Sequence, residues 1–212
     1  MMEKETRAFN FEIRAEKDEK HGTYITGTPI VFDQDTDMGW YQETIARGAL
    51  NTCDLRDVRF LVGHNTGGIP LARSRNNNAN STMQLTPDDA GMAMRADLDI
   101  ERNADSLSLY SAAERGDISG MSFMFRVESD KWEDLDSDHP KRTITGISKV
   151  FEVSAVTWPA YEQTSLEARS HAKALDSAAS VLESAREARR KEQEREDLIQ
   201  STLRKLEENK NV

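Results

Sequence analysis

Apolar and polar positions alternate through much of the first 160 residues, the period of strands with one buried face. The clearest stretch is 116–127, where Met121, Phe123, Phe125 and Val127 fall on one face and Ser122, preceded by Gly120, falls on the other. Upstream, Phe9, Phe11 and Ile13 predict a first strand. A turn around Lys20-His21-Gly22 then leads into the β-branched run 23–32, which predicts a second. Residues 33–39 read as a polar, acidic loop and 41–45 as a short strand, and Arg47-Gly48-Ala49-Leu50 opens a short helix to about Leu55. Residues 58–65 form a buried-type strand that ends in His64. Strands at 70–75 and 81–85 are joined by Asn76-Asn77-Asn78-Ala79-Asn80. The turn at 86–91 makes a hairpin with the alternating Met92, Met94, Ala96 and Leu98. A helix over 103–115 is closed by Gly116. Residues 128–141 are acidic and disorder-prone, with His139 exposed. Residues 143–161 complete the sheet, with Phe151, Val153 and Ala155 on one face and Glu152, Ser154 and Val156 on the other.

From about Ser165 the pattern changes. Leu175, Ala179, Leu182 and Ala185 keep helical spacing, residues 186–197 are almost wholly charged, and Ile199, Leu203 and Leu206 resume the stripe. With neither glycine nor proline after Pro159, one long helix is expected. Its stripe is narrow and interrupted, which suits a coiled-coil or partner-docking arm, or else a solvated helix. The chain therefore divides into a β domain over 1–164 and a helical extension over 165–212.

Composition sharpens this. The chain has 212 residues, 37% of them hydrophobic. A mean hydropathy of -0.71 is low for a compact domain, so part of the polar surplus belongs to an extended segment. A net charge of -10 and a pI near 5.0 argue against nucleic acid as a partner. The single cysteine, Cys53, excludes an internal disulfide and a multi-cysteine zinc site, and packing is its expected role. The first residues lack the apolar run of a signal peptide, and no run approaches membrane-spanning length, so a soluble, cytosol-made protein is expected. The acidic stretch 33–39 lacks the glycine-centred register of a calcium loop. The histidines are scattered without paired-ligand spacing, so a metal hydrolase is disfavoured.

Three residues carry candidate chemistry. A serine hydroxyl becomes a nucleophile only when a base within hydrogen-bond reach takes its proton, and the imidazole needs an acceptor to fix its tautomer. His64 at the end of one strand, Ser122 on the face of a second and Glu152 on a third supply these roles if the strands are neighbours. Spacing alone is a weak warrant in a chain with many serines. Five segments add to it: Gly27-Thr28-Pro29-Ile30-Val31-Phe32; Glu43 with Ile45 and Gly48-Ala49-Leu50; Leu61-Val62-Gly63-His64-Asn65; residues 116–125 around Ile118-Ser119-Gly120-Met121-Ser122-Phe123; and residues 151–161, beginning Phe151-Glu152-Val153-Ser154. In this order they resemble the tailed-phage prohead maturation serine proteases of the HK97 type, relatives of the herpesvirus assembly proteases, over most of 9–167.

The resemblance implies an α+β fold: a small, mostly antiparallel β-barrel ringed by helices, without a cofactor. It implies a serine endopeptidase that works inside the procapsid in the host cytoplasm, with the major capsid protein and its scaffolding segments as substrates and with self-processing; self-association stays open. His64 matches the family's catalytic histidine and Ser122 its nucleophile. At the third position the herpesvirus relatives use a second histidine, where this chain has Glu152. Ser119 and Ser154 are set aside as decoys, and the oxyanion-hole amides stay open between those near Ser122 and those after Glu152. Residues 165–173 are an exposed-looking junction for self-cleavage. The rival reading is a non-catalytic capsid assembly or scaffolding protein that keeps the same fold. A serine esterase is disfavoured because no Gly-x-Ser-x-Gly elbow is present.

Overall fold

The computed structural model describes residues 4–9, 13–157 and 165–210. In chain order the elements are β1 (Lys4–Phe9), β2 (Arg14–Asp18), β3 (Gly22–Val31), β4 (Thr36–Asp37), β5 (Gln42–Ile45), β6 (Val58–Val62), β7 (Ala72–Ser74), β8 (Met83–Pro87), β9 (Gly91–Asp97), α1 (Ala104–Glu114), β10 (Gly120–Glu133), β11 (Lys141–Val156) and α2 (Ser165–Lys210).

The long antiparallel hairpin β10–β11 is the spine. β1 runs antiparallel along the free edge of β10. The other edge of β11 is shared: its first part pairs in parallel with β5, and its last part with β6. β4 and β7 extend these two branches into a seven-stranded sheet. Register shifts between Met124 and Asp130 bend the hairpin, which lets one strand serve both branches. A second, antiparallel sheet has the order β2-β3-β9-β8. One core cluster joins the two sheets, with Ile25, Ile30, Met83 and Met92 meeting Phe60, Phe123, Phe125 and Ile144, all fully buried.

The sheets also touch along two margins. Asp33 N donates to Ile45 O at 2.9 Å, and Thr82 N donates to Arg73 O at 3.0 Å. The architecture is thus mixed α+β, mostly sheet, with a long C-terminal helix. Among the described residues no sheet closes on itself, so the pairing does not confirm the expected barrel.

Several local expectations need correction. Part of the first expected strand, 10–12, lies outside the described residues, as do 158–161 of the last. β1 begins earlier than expected, at Lys4, because Glu5 and Arg7 take inward positions as ions and so hide the alternation. Residues 47–53 form successive turns and no helix. Ala49, Asn51 and Cys53 each donate to the carbonyl three residues back, and Gly48 has φ 87°, which a helix does not allow. Much of 128–141 is ordered as the arms of the β10–β11 hairpin, because Trp132 stacks on Trp40 and Arg142 grips Asp130. In α2 it is Ala178, with Leu182, that is buried, while Ala179 is exposed. The helix at 103–115 follows expectation: the side chain of Asn103 caps the amides of Asp105 and Ser106, and Gly116 has φ 77°.

Candidate active site

β6 ends in a turn that decides where its histidine points. Gly63 and His64 both take left-handed backbone angles, φ 55° each. For a residue with a Cβ this costs roughly 1–2 kcal/mol. Neighbouring hydrogen bonds hold the turn: Gly63 N donates to Ala155 O at 2.9 Å, and His64 N donates to the Ser154 hydroxyl oxygen at 3.2 Å. The ring is thereby laid back over β11, where Nδ1 lies 2.6 Å from Oε1 of Glu152.

Glu152 is 2% exposed. Its other oxygen accepts the Ser154 hydroxyl at 2.5 Å. The donors and acceptors close a ring. Ser154 Oγ accepts the His64 amide and gives its own proton to Oε2, while Oε1 accepts from Nδ1. That assignment leaves Nε2 with a lone pair.

Ser122 sits on β10 directly opposite Ser154, and Ser154 is opposite Leu61 of β6. Cross-strand partners share a face, so Ser122 stands one strand away from Ser154 and on the same side of the sheet, about 5 Å across. Its side chain is fully buried, and its hydroxyl donates to the main-chain oxygen of Arg7 on β1 at 2.7 Å. The structure therefore brings His64 and Glu152 into contact, while Ser122 lies one strand over, opposite Ser154, with its hydroxyl bonded to Arg7 O on β1 and not to His64.

Ser119 is exposed ahead of β10 and takes no part. Ser154 is no bystander, although sequence reasoning sets it aside. Its signal was available, since residues two apart on one strand share a face, and 152 and 154 are such a pair.

Below the site lies a buried ionic cluster that sequence reasoning missed. Arg7 is held by Glu43 through a short Nε–Oε1 contact and by Glu5 at 2.5 Å. Arg142 Nη1 reaches Glu5 at 2.9 Å and Glu43 at 3.0 Å, and Arg142 Nε reaches Asp130 at 2.7 Å. Burial alone pushes the Glu5 carboxyl up, but the charges of Arg7 and Arg142 outweigh it and hold the group below the usual carboxylate range. The cluster pins β1 to the sheet and so fixes the carbonyl that receives the Ser122 hydroxyl.

Elsewhere, His21 pairs with Asp18 at 2.9 Å and His139 faces solvent near Asp37. Cys53 packs against the core, and burial pushes its thiol up to about 12. No cluster of three or more metal-ligating side chains occurs among the described residues. No helix among them is long and apolar enough to cross a membrane.

No curated protein sequence matches the chain significantly. A solved structure similar to it is that of the bacteriophage T4 capsid assembly protease, gp21, with 14% identity over 73% of this chain and 99% of that one, at a TM-score of 0.37. The family model described as caudovirus prohead serine protease matches residues 9–177, well over half of the sequence, so the chain belongs to the caudovirus prohead serine protease family.

Proposed function

We propose that the protein is the maturation endopeptidase of a tailed-phage prohead. On this reading it cleaves scaffolding segments of the major capsid protein, and its own chain, inside the procapsid in the infected cell. The fold is then a variant of the herpesvirus assembly protease barrel, and the margins where the two sheets touch, at Asp33–Ile45 and Thr82–Arg73, are its seams. Residues 1–164 form the protease, and 165–212 form an arm that docks on scaffold helices and is removed by self-cleavage.

The chemistry uses Ser122 as nucleophile, His64 as base and Glu152 as the carboxylate that orients the ring. The contact between His64 Nδ1 and Glu152 Oε1 at 2.6 Å carries the reading, because it presents Nε2 as the free base. Ser122 Oγ turns from the Arg7 carbonyl toward Nε2, loses its proton there and bonds to the scissile carbonyl carbon. The tetrahedral adduct collapses as Nε2 gives that proton to the leaving amine, which leaves an ester on Ser122. A water, deprotonated by the same nitrogen, hydrolyses the ester and restores the hydroxyl. In the resting geometry Ser122 is fully buried, so substrate reaches it only when the chain above it moves. Catalytic hydrogen bonds commonly tighten only once substrate is bound.

The test is co-expression with the cognate capsid protein, followed by intact-mass spectrometry. Wild type trims the capsid protein and itself, whereas Ser122→Ala and His64→Ala leave both at full length while keeping the native circular dichroism. Equal processing by wild type and Ser122→Ala, or none by either, would favour the non-catalytic assembly role.

A further inference from the structure

The row of residues that holds Ser122 continues past the catalytic strands. Ser122 is opposite Ser154, Ser154 is opposite Leu61, and Leu71 follows on the far side, its amide bonded to Phe60 O at 2.9 Å. Leu61 and Leu71 form one wall of a cleft of about 470 Å³. Leu109 and Ala112 of α1, with Ile118 from the segment that leads into β10, form the other. Ile69 stands on the lip, 84% exposed, in the loop that begins at Gly63-His64. Asn65, Asp105 and Ser108 also line the cleft, and a large aliphatic side chain left in water beside a cleft with this aliphatic share marks a surface made to be covered.

We infer that this cleft is a specificity subsite that takes a leucine-sized aliphatic side chain of the peptide substrate, an assignment that rests on the proposed peptidase reading. The geometry selects a peptide over other occupants. Leu61 lies two strands from Ser122, about 10 Å along the row, while an extended chain advances about 3.3 Å per residue. A substrate with its scissile carbonyl at Ser122 thus reaches the cleft within three residues. The same segments build both places: the 63–69 loop carries His64 and Ile69, and the 116–120 segment carries Ile118 into the strand of Ser122. A ligand filling the cleft therefore lies along the row that carries Ser122. The cleft discriminates by shape and apolar contact, where each methylene is worth about 10-fold or more in kcat/KM.

The test is cleavage-site profiling of the full-length chain on a proteome-derived peptide library, read by mass spectrometry, with Ser122→Ala as control. Wild type should show a bulky aliphatic residue at one fixed position within three residues of the cut bond. Ala112→Phe fills the cleft and should lower the preference for leucine over alanine at that position at least 10-fold. Ile69→Ser, an exposed change that leaves folding intact, should lower kcat/KM for the leucine peptide several-fold. Ser122-dependent cleavage with no aliphatic preference, or a preference unmoved by both variants, overturns the subsite and leaves the peptidase reading standing. Cleavage independent of Ser122, or none at all, overturns both.

Discussion

At the scale of single residues, the site turns on how Glu152 is shared between an imidazole and a hydroxyl. Glu152→Gln keeps the shape but presents an amide that stabilises no imidazolium. Its kcat should fall about 10²–10⁴-fold, with thermal stability within a few degrees of wild type. Ser154→Ala removes only the bridge between the His64 amide and the carboxylate. Losing these two orienting hydrogen bonds, of roughly 1 kcal/mol each, should cost about 10–30-fold in kcat at unchanged KM. Stopped-flow or progress-curve kinetics on one peptide substrate rank the two, and an equal loss in both would assign Ser154 more than an orienting role. Cys53 makes a contrasting case: with its thiol pushed up to about 12, its thiolate fraction at pH 8 is smaller than a free cysteine's by about a thousandfold, so native protein should label correspondingly slowly with a disulfide reagent. The meeting of His64 with Glu152 follows the sequence reading, in which each closes or lies on a local strand motif. The acceptor that Ser122 uses was not legible there, because Arg7 lies 115 positions away and acts through its backbone.

At the scale of elements, alternation gave away strands whose buried face is apolar and concealed β1, whose buried face is ionic. Glu5 and Arg7 read as solvent-facing until Glu43 and Arg142 supply their partners from other strands. The hairpin arms at 128–141 misled for the same reason: their acidic composition suggests disorder, while Asp130 and Trp132 are tied to neighbours that no local window contains. The cluster predicts a pH response. Its arginines hold the Glu5 carboxyl below its ordinary value of 4.5, so the stabilisation is complete above that pH and fades as the solution is acidified beneath it. Glu5→Gln leaves two buried guanidinium groups short of an anion and should cost about 3–5 kcal/mol at pH 7. Thermal melts from pH 7 to pH 3 should show the variant starting lower and losing less on acidification than wild type. Parallel curves would mean that Glu5 is not the group that responds.

For the whole molecule, the question is what keeps a 46-residue helix in place. At about 1.5 Å per residue it is close to 70 Å long, too long to lie wholly against a domain of this size. It runs against β1, and its described side-chain contacts fall in one stretch. Leu175 and Ala178 pack against Trp40, Tyr41 and Trp132, Arg186 Nε donates to Leu135 O at 2.8 Å, and Arg189 reaches Asp136 at 3.0 Å. Beyond these, Leu198, Ile199 and Leu203 are exposed. The sequence told of a helix with an interrupted stripe, but not that the first part of the stripe belongs to the β domain, because the aromatic partners lie in the loop before β5 and in β10. A charge at the centre of that contact should separate the helix from the sheet without unfolding either. Ala178→Asp forces a carboxylate into a packed seat of three aromatic rings, and taking that charge out of water is costly enough that the contact opens instead. Trp40 and Trp132 then meet water, so the tryptophan emission should move to longer wavelength and the Stokes radius should rise, while the far-ultraviolet spectrum keeps its strand signal. If neither emission nor radius changes, the aromatic seat is not what holds the arm, and its contacts with β1 and at Arg186 and Arg189 suffice.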